Sequence, residues 1–424
     1  MKKKIVFSLF LASSLFADAQ MDAIREQLQQ QKEMIVKLEA QLNTLEQKHT
    51  QEVKKVAVQL DTLEKKSTNN SASFSQNAYL PDMAFILNMS AVSRNINNID
   101  YASYQLPGFI TTPDTPALPF NANRGFNLNY AEVALHSIVD PYFEAFAIFH
   151  ISPANGLEIE EAYVQTTALR YSLRVKAGSF KSNFGRLNEK HHHVWNFDSQ
   201  PLIYKGLFGP DGISDAGIQL QWVAPTDTYF MVGAEAMQGA TNTSSFGDTS
   251  SNNLYIGYVK SSVDIGDDLS VLGGLSLAHG KNTTANATDI YGADLTFREQ
   301  LGSYSALIWQ SEYLQRNKKL TTRKDKQAGL YSELMYQYNN NYTFGARYDL
   351  ITKNQTDLST FAGIDTSNLA RYTAKIDYKP FPMSRLRLSY SYDKSKVIAG
   401  QRKDINEVML SLNIAAGAHG THDY

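Results

Sequence analysis

Two periodicities divide the chain. Between Met21 and Lys66 apolar residues recur at alternating intervals of three and four, at Ile24, Leu28, Ile35, Leu38, Leu42 and Leu45, which is a heptad seam on a helix. His49 takes the next seam position, and the pattern resumes one register over at Val53, Val56, Leu60 and Leu63, as after an inserted stutter. The segment contains no Gly or Pro and would reach roughly 70 Å as one helix. So narrow a stripe is buried only against partner helices, so residues 20–66 are expected to form a coiled coil that self-associates as a dimer or trimer. Residues 67–78, rich in Ser and Asn, read as a flexible linker.

From Tyr79 onward the period is two. Tyr291, Ala293, Leu295 and Phe297 oppose Asp294, Thr296 and Arg298, while Tyr342, Phe344, Ala346 and Tyr348 oppose Thr343, Arg347 and Asp349. Tyr372, Ala374, Ile376 and Tyr378 likewise oppose Arg371, Thr373, Lys375 and Asp377. Sixteen such segments begin near residues 79, 126, 142, 157, 170, 216, 228, 253, 269, 288, 303, 327, 341, 369, 384 and 404. Their connections alternate between tight turns, such as Asp140-Pro141 and Phe381-Pro382, and long polar loops, such as residues 95–124 and 184–212. The connection at residues 152–156 is the exception, short on the long side. An even set of antiparallel strands, short turns at one end and long loops at the other, predicts an all-β fold: a transmembrane β-barrel of about 16 strands over residues 79–424, with the coiled coil ahead of it. Tyrosine at the strand ends suits the aromatic belts of a lipid-facing wall.

Composition narrows the setting. The longest apolar runs fall short of the ~20 residues a spanning helix requires, so any crossing is by strands. Lys2-Lys3-Lys4, the apolar run from Ile5 to Phe16, and Ala17-Asp18-Ala19 match the three parts of a secretory signal peptide, residues 1–19. The absence of cysteine decides little. A formal charge of -2, with no one-sided basic patch in the sequence, argues against nucleic acid as a partner. The expected location is the outer membrane of a Gram-negative bacterium, with membrane lipid around the barrel, the coiled coil in the periplasm, and contact with peptidoglycan open to it. A homotrimer through coiled coil and barrel wall is the expected assembly. The strand Val408, Leu410, Leu412, Ile414 and the terminal Tyr424 suit recognition by the outer-membrane assembly machinery.

Charge is concentrated on the minor face of the strands. Arg170, Arg174, Lys176, Arg347, Arg371, Lys375, Arg385, Arg387 and Asp294 are expected to line a lumen, with Glu144, Glu158, Glu160 and Asp377 among the acids. A polar, charged lumen is a water-filled path whose charged rings select ions; the same charges could instead pair across it and hold the wall in shape. The long loop after Lys181 carries the other candidate chemistry. His191 and His193 share one face of an extended chain, and with Asp198 they form a candidate metal site of nitrogen and oxygen ligands, although the spacing is no defined zinc motif. Ser199 lies beside them without a nucleophile motif, so no enzyme is expected.

Gly185-Arg186-Leu187-Asn188, His191, His193, Trp195, Asp198, Pro201-Leu202, Gly209, Gly212 and Asp215 to Gly217 together resemble a loop signature of outer-membrane proteins labelled zinc-regulated TonB-dependent receptors. The ending Gly417 to Tyr424 resembles that family's C-terminus. A coiled-coil leader before a sixteen-strand barrel is also similar to phosphate-selective and related trimeric porins. The first resemblance implies uptake of a divalent metal such as Zn2+, with His191 and His193 as ligands. Residues 20–79 leave no room for the globular plug of such a receptor, and the residues themselves support passive passage of small hydrophilic solutes or ions, with no resident cofactor. A substrate-specific receptor, or a tethering barrel without an open pore, is the alternative.

Overall fold

The computed structural model describes residues 81–111, 123–153, 156–241, 244–247 and 254–417, together with the single helical residues Gln29 and Lys32. Chain contacts separate two units, Met1–Ala78 and Tyr79–Tyr424, and the description below concerns the second. The expected signal peptide, coiled coil and linker, and the terminal His419, His422 and Tyr424, lie outside the described residues.

The strands are β1 (Asp82–Arg94), β2 (Gly125–Asp140), β3 (Phe143–Ser152), β4 (Gly156–Thr166), β5 (Leu173–Lys181), β6 (Ser214–Val223), β7 (Tyr229–Met237) and β8 (Leu254–Ile265). They continue as β9 (Leu269–Lys281), β10 (Ala287–Gly302), β11 (Ser305–Lys319), β12 (Lys324–Gln337), β13 (Tyr342–Gln355), β14 (Ala370–Phe381), β15 (Ser384–Ile398) and β16 (Gln401–Gly417). Each pairs antiparallel with its sequence neighbours, and β1 meets β16 from Ala84 opposite Gly417 to Arg94 opposite Glu407. The sheet is therefore a closed sixteen-strand barrel, the arrangement that leaves no strand at an open edge. Two short helices, α1 (Asn98–Ala102) and α2 (Leu202–Phe208), sit in the β1–β2 and β5–β6 loops.

The outer face is apolar between aromatic belts. On β13 and β14, Tyr342 stacks on Tyr378 at 5.1 Å and Tyr348 on Tyr372 at 5.0 Å, with Phe344 and Ile376 exposed between the two pairs. Cross-strand aromatic pairs of this kind stiffen a ladder while suiting a lipid-water boundary.

Three departures from strict alternation matter for the interior. Arg170, expected to start a strand and face the lumen, instead lies with Tyr171 and Ser172 in a 3-10 turn, where Tyr171 (φ 63°) and Ser172 (φ 58°) are left-handed. The strand begins at Leu173, so Arg170 and the exposed Tyr171 belong to the turn at the short-loop rim. In β4, Ile148 faces Glu161 while Phe149 faces Ile159, so Glu160 is an inserted bulge residue. Glu160 and Glu161 consequently both reach inward, where alternation would have sent one to lipid. Finally, β4 and β5 pair only from Ala162 to Gln165, because β5 turns away, and the Lys181 N–H donates to the Glu161 carboxylate at 2.6 Å instead of to a ladder carbonyl.

A candidate constriction site inside the barrel

Residues 182–213, the loop between β5 and β6, run inward instead of over the rim. Glycines make its corners: Gly185 (φ 65°), Gly209 (φ 74°), which caps α2, and Gly212 (φ 76°). Asn188 ties the loop's two limbs together, donating from Nδ2 to the Ser182 and Ile213 carbonyls and accepting the Ile213 N–H.

An apolar end holds the loop against the wall. Phe184, Leu202, Ile203, Tyr204, Leu207 and Phe208 are buried in one cluster with Tyr258, Ala278, Ile290, Leu314, Tyr331 and Ile351 from β8 to β13. Leu106 and Phe109 of the β1–β2 loop and Phe246 of the β7–β8 loop join the cluster. This part of the lumen is a packed core instead of the water-filled path expected from the charged rows, because the loops bring their own apolar side chains to it. Burial contributes roughly 1.5–3 kcal/mol for each large side chain, more than a typical hydrogen bond. Beside the cluster, Glu312 of β11 accepts from the Tyr204 hydroxyl at 2.7 Å, the Tyr331 hydroxyl at 3.0 Å and the Arg186 N–H at 3.2 Å.

The second anchorage is basic. Arg347 of β13 donates to the Ser199 carbonyl and hydroxyl, both at 2.7 Å, and Arg371 of β14 to the Gln200 carbonyl at 2.6 Å. Arg387 of β15 reaches Asp198 at 3.1 Å and Asp377 at 2.6 Å, while Ser411 of β16 donates to the other Asp198 oxygen at 2.8 Å. Arg385 approaches the Trp195 carbonyl at 3.5 Å, and Lys375 pairs with Asp377 at 2.6 Å. Burial would raise the Asp198 carboxyl, but the Arg387 and Arg385 guanidinium groups hold it below the usual range.

The third anchorage is acidic and lies on β2 and β4. His191 Nε2 is 2.7 Å from Glu161 and its Nδ1 is 3.3 Å from Glu160, which also binds Lys181 at 3.0 Å. His193 Nδ1 is 3.3 Å from Glu132, and the two imidazoles stack at 5.9 Å. Burial disfavours the His191 charge, yet Glu160 and Glu161 outweigh it and hold that imidazole well above its ordinary value. His192 points the other way: burial pushes it down to about 4, and its Nε2 donates to the Asp198 carbonyl at 2.8 Å.

Most of the lumen-facing residues expected from sequence meet at this loop. Arg347, Arg371, Lys375, Arg385 and Arg387 gather at its basic end, and Arg174, Lys176 and Asp294 stand on the inner face of β5 and β10, with Lys176 above the Tyr163 ring at 4.5 Å. The candidate metal ligands are split: donor atoms of His191, Glu132 and Glu160 lie within 4.8 Å of one another, while Asp198 is bound to Arg387 and Ser411. Glu132, Glu161 and Glu312 were missed. Glu161 is hidden by the bulge in β4, and Glu132 by a second register shift in β2, at Asn129, which turns inward the row that carries the exposed Phe126 and Leu128.

An uncharacterised protein of Aquifex aeolicus is 36% identical to this chain over 385 residues, covering 83% of the chain and 81% of its own length. The two belong to one family. No protein-family model matches the chain. Among solved structures the barrel is similar to an anion-selective porin from Comamonas acidovorans, with a TM-score of 0.53 at 12% identity, covering 79% of this chain and 99% of the porin. The outer membrane channel DcaP of Acinetobacter baumannii gives 0.52 at 12% identity, covering 82% of this chain and all of that one (100%). Such distant likenesses establish that the family has a porin-like fold.

Proposed function

We propose that the protein is an outer-membrane porin that passes small hydrophilic solutes or ions passively, with the β5–β6 loop setting what fits. One observation carries this reading: a charged lumen, inside a barrel with an apolar, aromatic-belted exterior, is crossed by the β5–β6 loop, which is held on one side by the apolar cluster of β8 to β13 and on the other by Glu161 of β4. Fixed donors and charges beside a narrowed path select by size and sign. The test is single-channel conductance of the purified full chain in planar bilayers. Stepwise openings are expected, in multiples of three if the assembly is the trimer proposed from the coiled-coil pattern. Silence from correctly folded protein would overturn the open-pore reading in favour of a barrel kept shut until a specific substrate displaces the loop, or of an envelope tether.

Divalent metal such as zinc is a second reading of the solute, favoured by the carboxylate and imidazole donors of Glu132, Glu160 and His191. The chemistry of these donors fits a borderline cation, but Lys181, 3.0 Å from Glu160, and the proton on His191 already balance part of the charge, so a metal would enter by displacing them. Zinc on the loop side should block current in the parent and not in a His191→Ala/His193→Ala variant. Equal block in both would remove these residues from any metal role.

A further inference from the structure

The outward rows of β11, β12 and β13 end, at the long-loop rim, in lysine. Lys319 and Lys324 face each other directly across the β11–β12 ladder, Lys326 lies two residues from Lys324 on the same face, and Lys353 stands opposite Ala328. Inward neighbours fix this orientation: Lys318 reaches the Ser244 carbonyl, Asp325 is buried, and Asn354 donates to the Pro107 carbonyl. Lys319, Lys324 and Lys326 are exposed and Lys353 is half-exposed. Like charges directly opposite one another destabilise a strand pair, and no carboxylate among the described residues relieves them. Asp325 and Asp357 are bound to Arg323, at 2.9 Å and 3.2 Å, and Asp289 of β10, opposite Asn317, is bound to His279 at 2.7 Å. Toward the middle of the wall the outward row of β11 passes from Lys319 through the polar Asn317 and Gln315 to the exposed Tyr313, and Tyr348 and Tyr372 continue the aromatic belt on β13 and β14.

A row of unneutralised ammonium groups on the rim side of an aromatic belt, with a polar stretch between, sits where lipid headgroups carry their charge. We infer that this face binds the phosphate groups of an anionic, phosphorylated glycolipid in the outer leaflet, each phosphate lying between the opposed lysines and replacing their repulsion with charge-assisted hydrogen bonds. Snorkelling suits lysine to this place, since its alkyl stem can lie along the wall while the ammonium reaches the headgroup. The inference rests on the membrane-spanning reading of the barrel, and it is independent of whether the lumen conducts.

The test uses the full chain, purified in a neutral detergent and titrated with a bisphosphorylated glycolipid or its dephosphorylated form, with retained lipid counted by native mass spectrometry. The parent should retain the phosphorylated lipid, and a variant with Lys319, Lys324, Lys326 and Lys353 all changed to Gln should bind it at least about tenfold more weakly, the scale expected when several lysines near a membrane surface are removed. The corresponding four-Arg variant should bind like the parent, which shows that charge and not the fold is being read. Heat-modifiable migration of each variant on a gel reports barrel closure separately, so loss of the barrel is distinguished from loss of lipid. Equal retention by the Gln variant, equal retention of dephosphorylated lipid, or displacement of the lipid by inorganic phosphate would overturn the proposal.

Discussion

Arg387 and Asp198, 189 residues apart in the chain, meet inside the barrel with Nη1 3.1 Å from Oδ1, both side chains buried. The same guanidinium binds Asp377, so one residue of β15 joins the wall to the loop and to its neighbouring strand. Replacing Arg387 with Gln leaves Asp198 buried without its cation, a change that costs about 3–5 kcal/mol in buried pairs. The barrel's ladder is untouched, so the expected outcome is a loosened loop in an intact barrel: larger and noisier single-channel conductance with unchanged heat-modifiable migration. An Arg385→Ala/Arg387→Ala double variant should in addition shift ion selectivity toward cations, and an unshifted reversal potential would count against these residues lining the path.

Loop docking should have a pH optimum, because two adjacent histidines titrate in opposite senses. His191 has a docked value raised above 6.5, so its contribution is complete below 6.5 and fades as pH rises through the raised value. His192 is lowered from 6.5 to about 4, so the docked loop prefers it neutral, and its contribution is complete above 6.5 and fades as pH falls toward 4. Protection of the loop from protease, measured across this range, should peak near the crossing point. A His191→Gln variant should lose the alkaline limb of the profile alone, and His192→Gln the acid limb alone. A flat profile in the parent would show that neither imidazole governs docking.

Gly185 is a position where size and backbone agree. Its φ of 65° is left-handed, and a Cβ there would run into the Glu312 carboxylate and the Tyr204 hydroxyl. Gly185→Ala should therefore push the loop's first corner off β11, exposing the apolar cluster around Phe184. Increased binding of a hydrophobic dye with an intact barrel is the expected result, whereas an unchanged signal would mean the corner relaxes without undocking.

The wall was legible in the sequence because a two-sided environment writes itself as alternation: lipid on Tyr342, Phe344 and Ala346, polar surroundings on Thr343 and Arg347. All sixteen strands follow from that pattern and from the turns between them. The interior was legible only in part. Alternation tells which side a residue faces but not what lies across from it, so Arg347, Arg371 and Arg387 could be assigned inward while their partners, the Ser199 and Gln200 backbone and Asp198, could not. At Glu160 the rule itself fails, because one extra residue in β4 advances the phase and brings Glu161 inward unannounced. Asp198 read as a partner of His191 because it is near in sequence; a turn at His192–Val194 and the pull of Arg387 and Ser411 send it to β15 and β16 instead of to β2 and β4.

The loop's anchorage on both walls has a mechanical side. A hollow cylinder resists being flattened only through the stiffness of its sheet, whereas one with a strut tied to β2 and β4 at one end and packed against β8 to β13 at the other is braced across its width. Releasing the strut frees the cross-section as well as the path, so lateral pressure on the wall and the position of the loop become one mechanical variable.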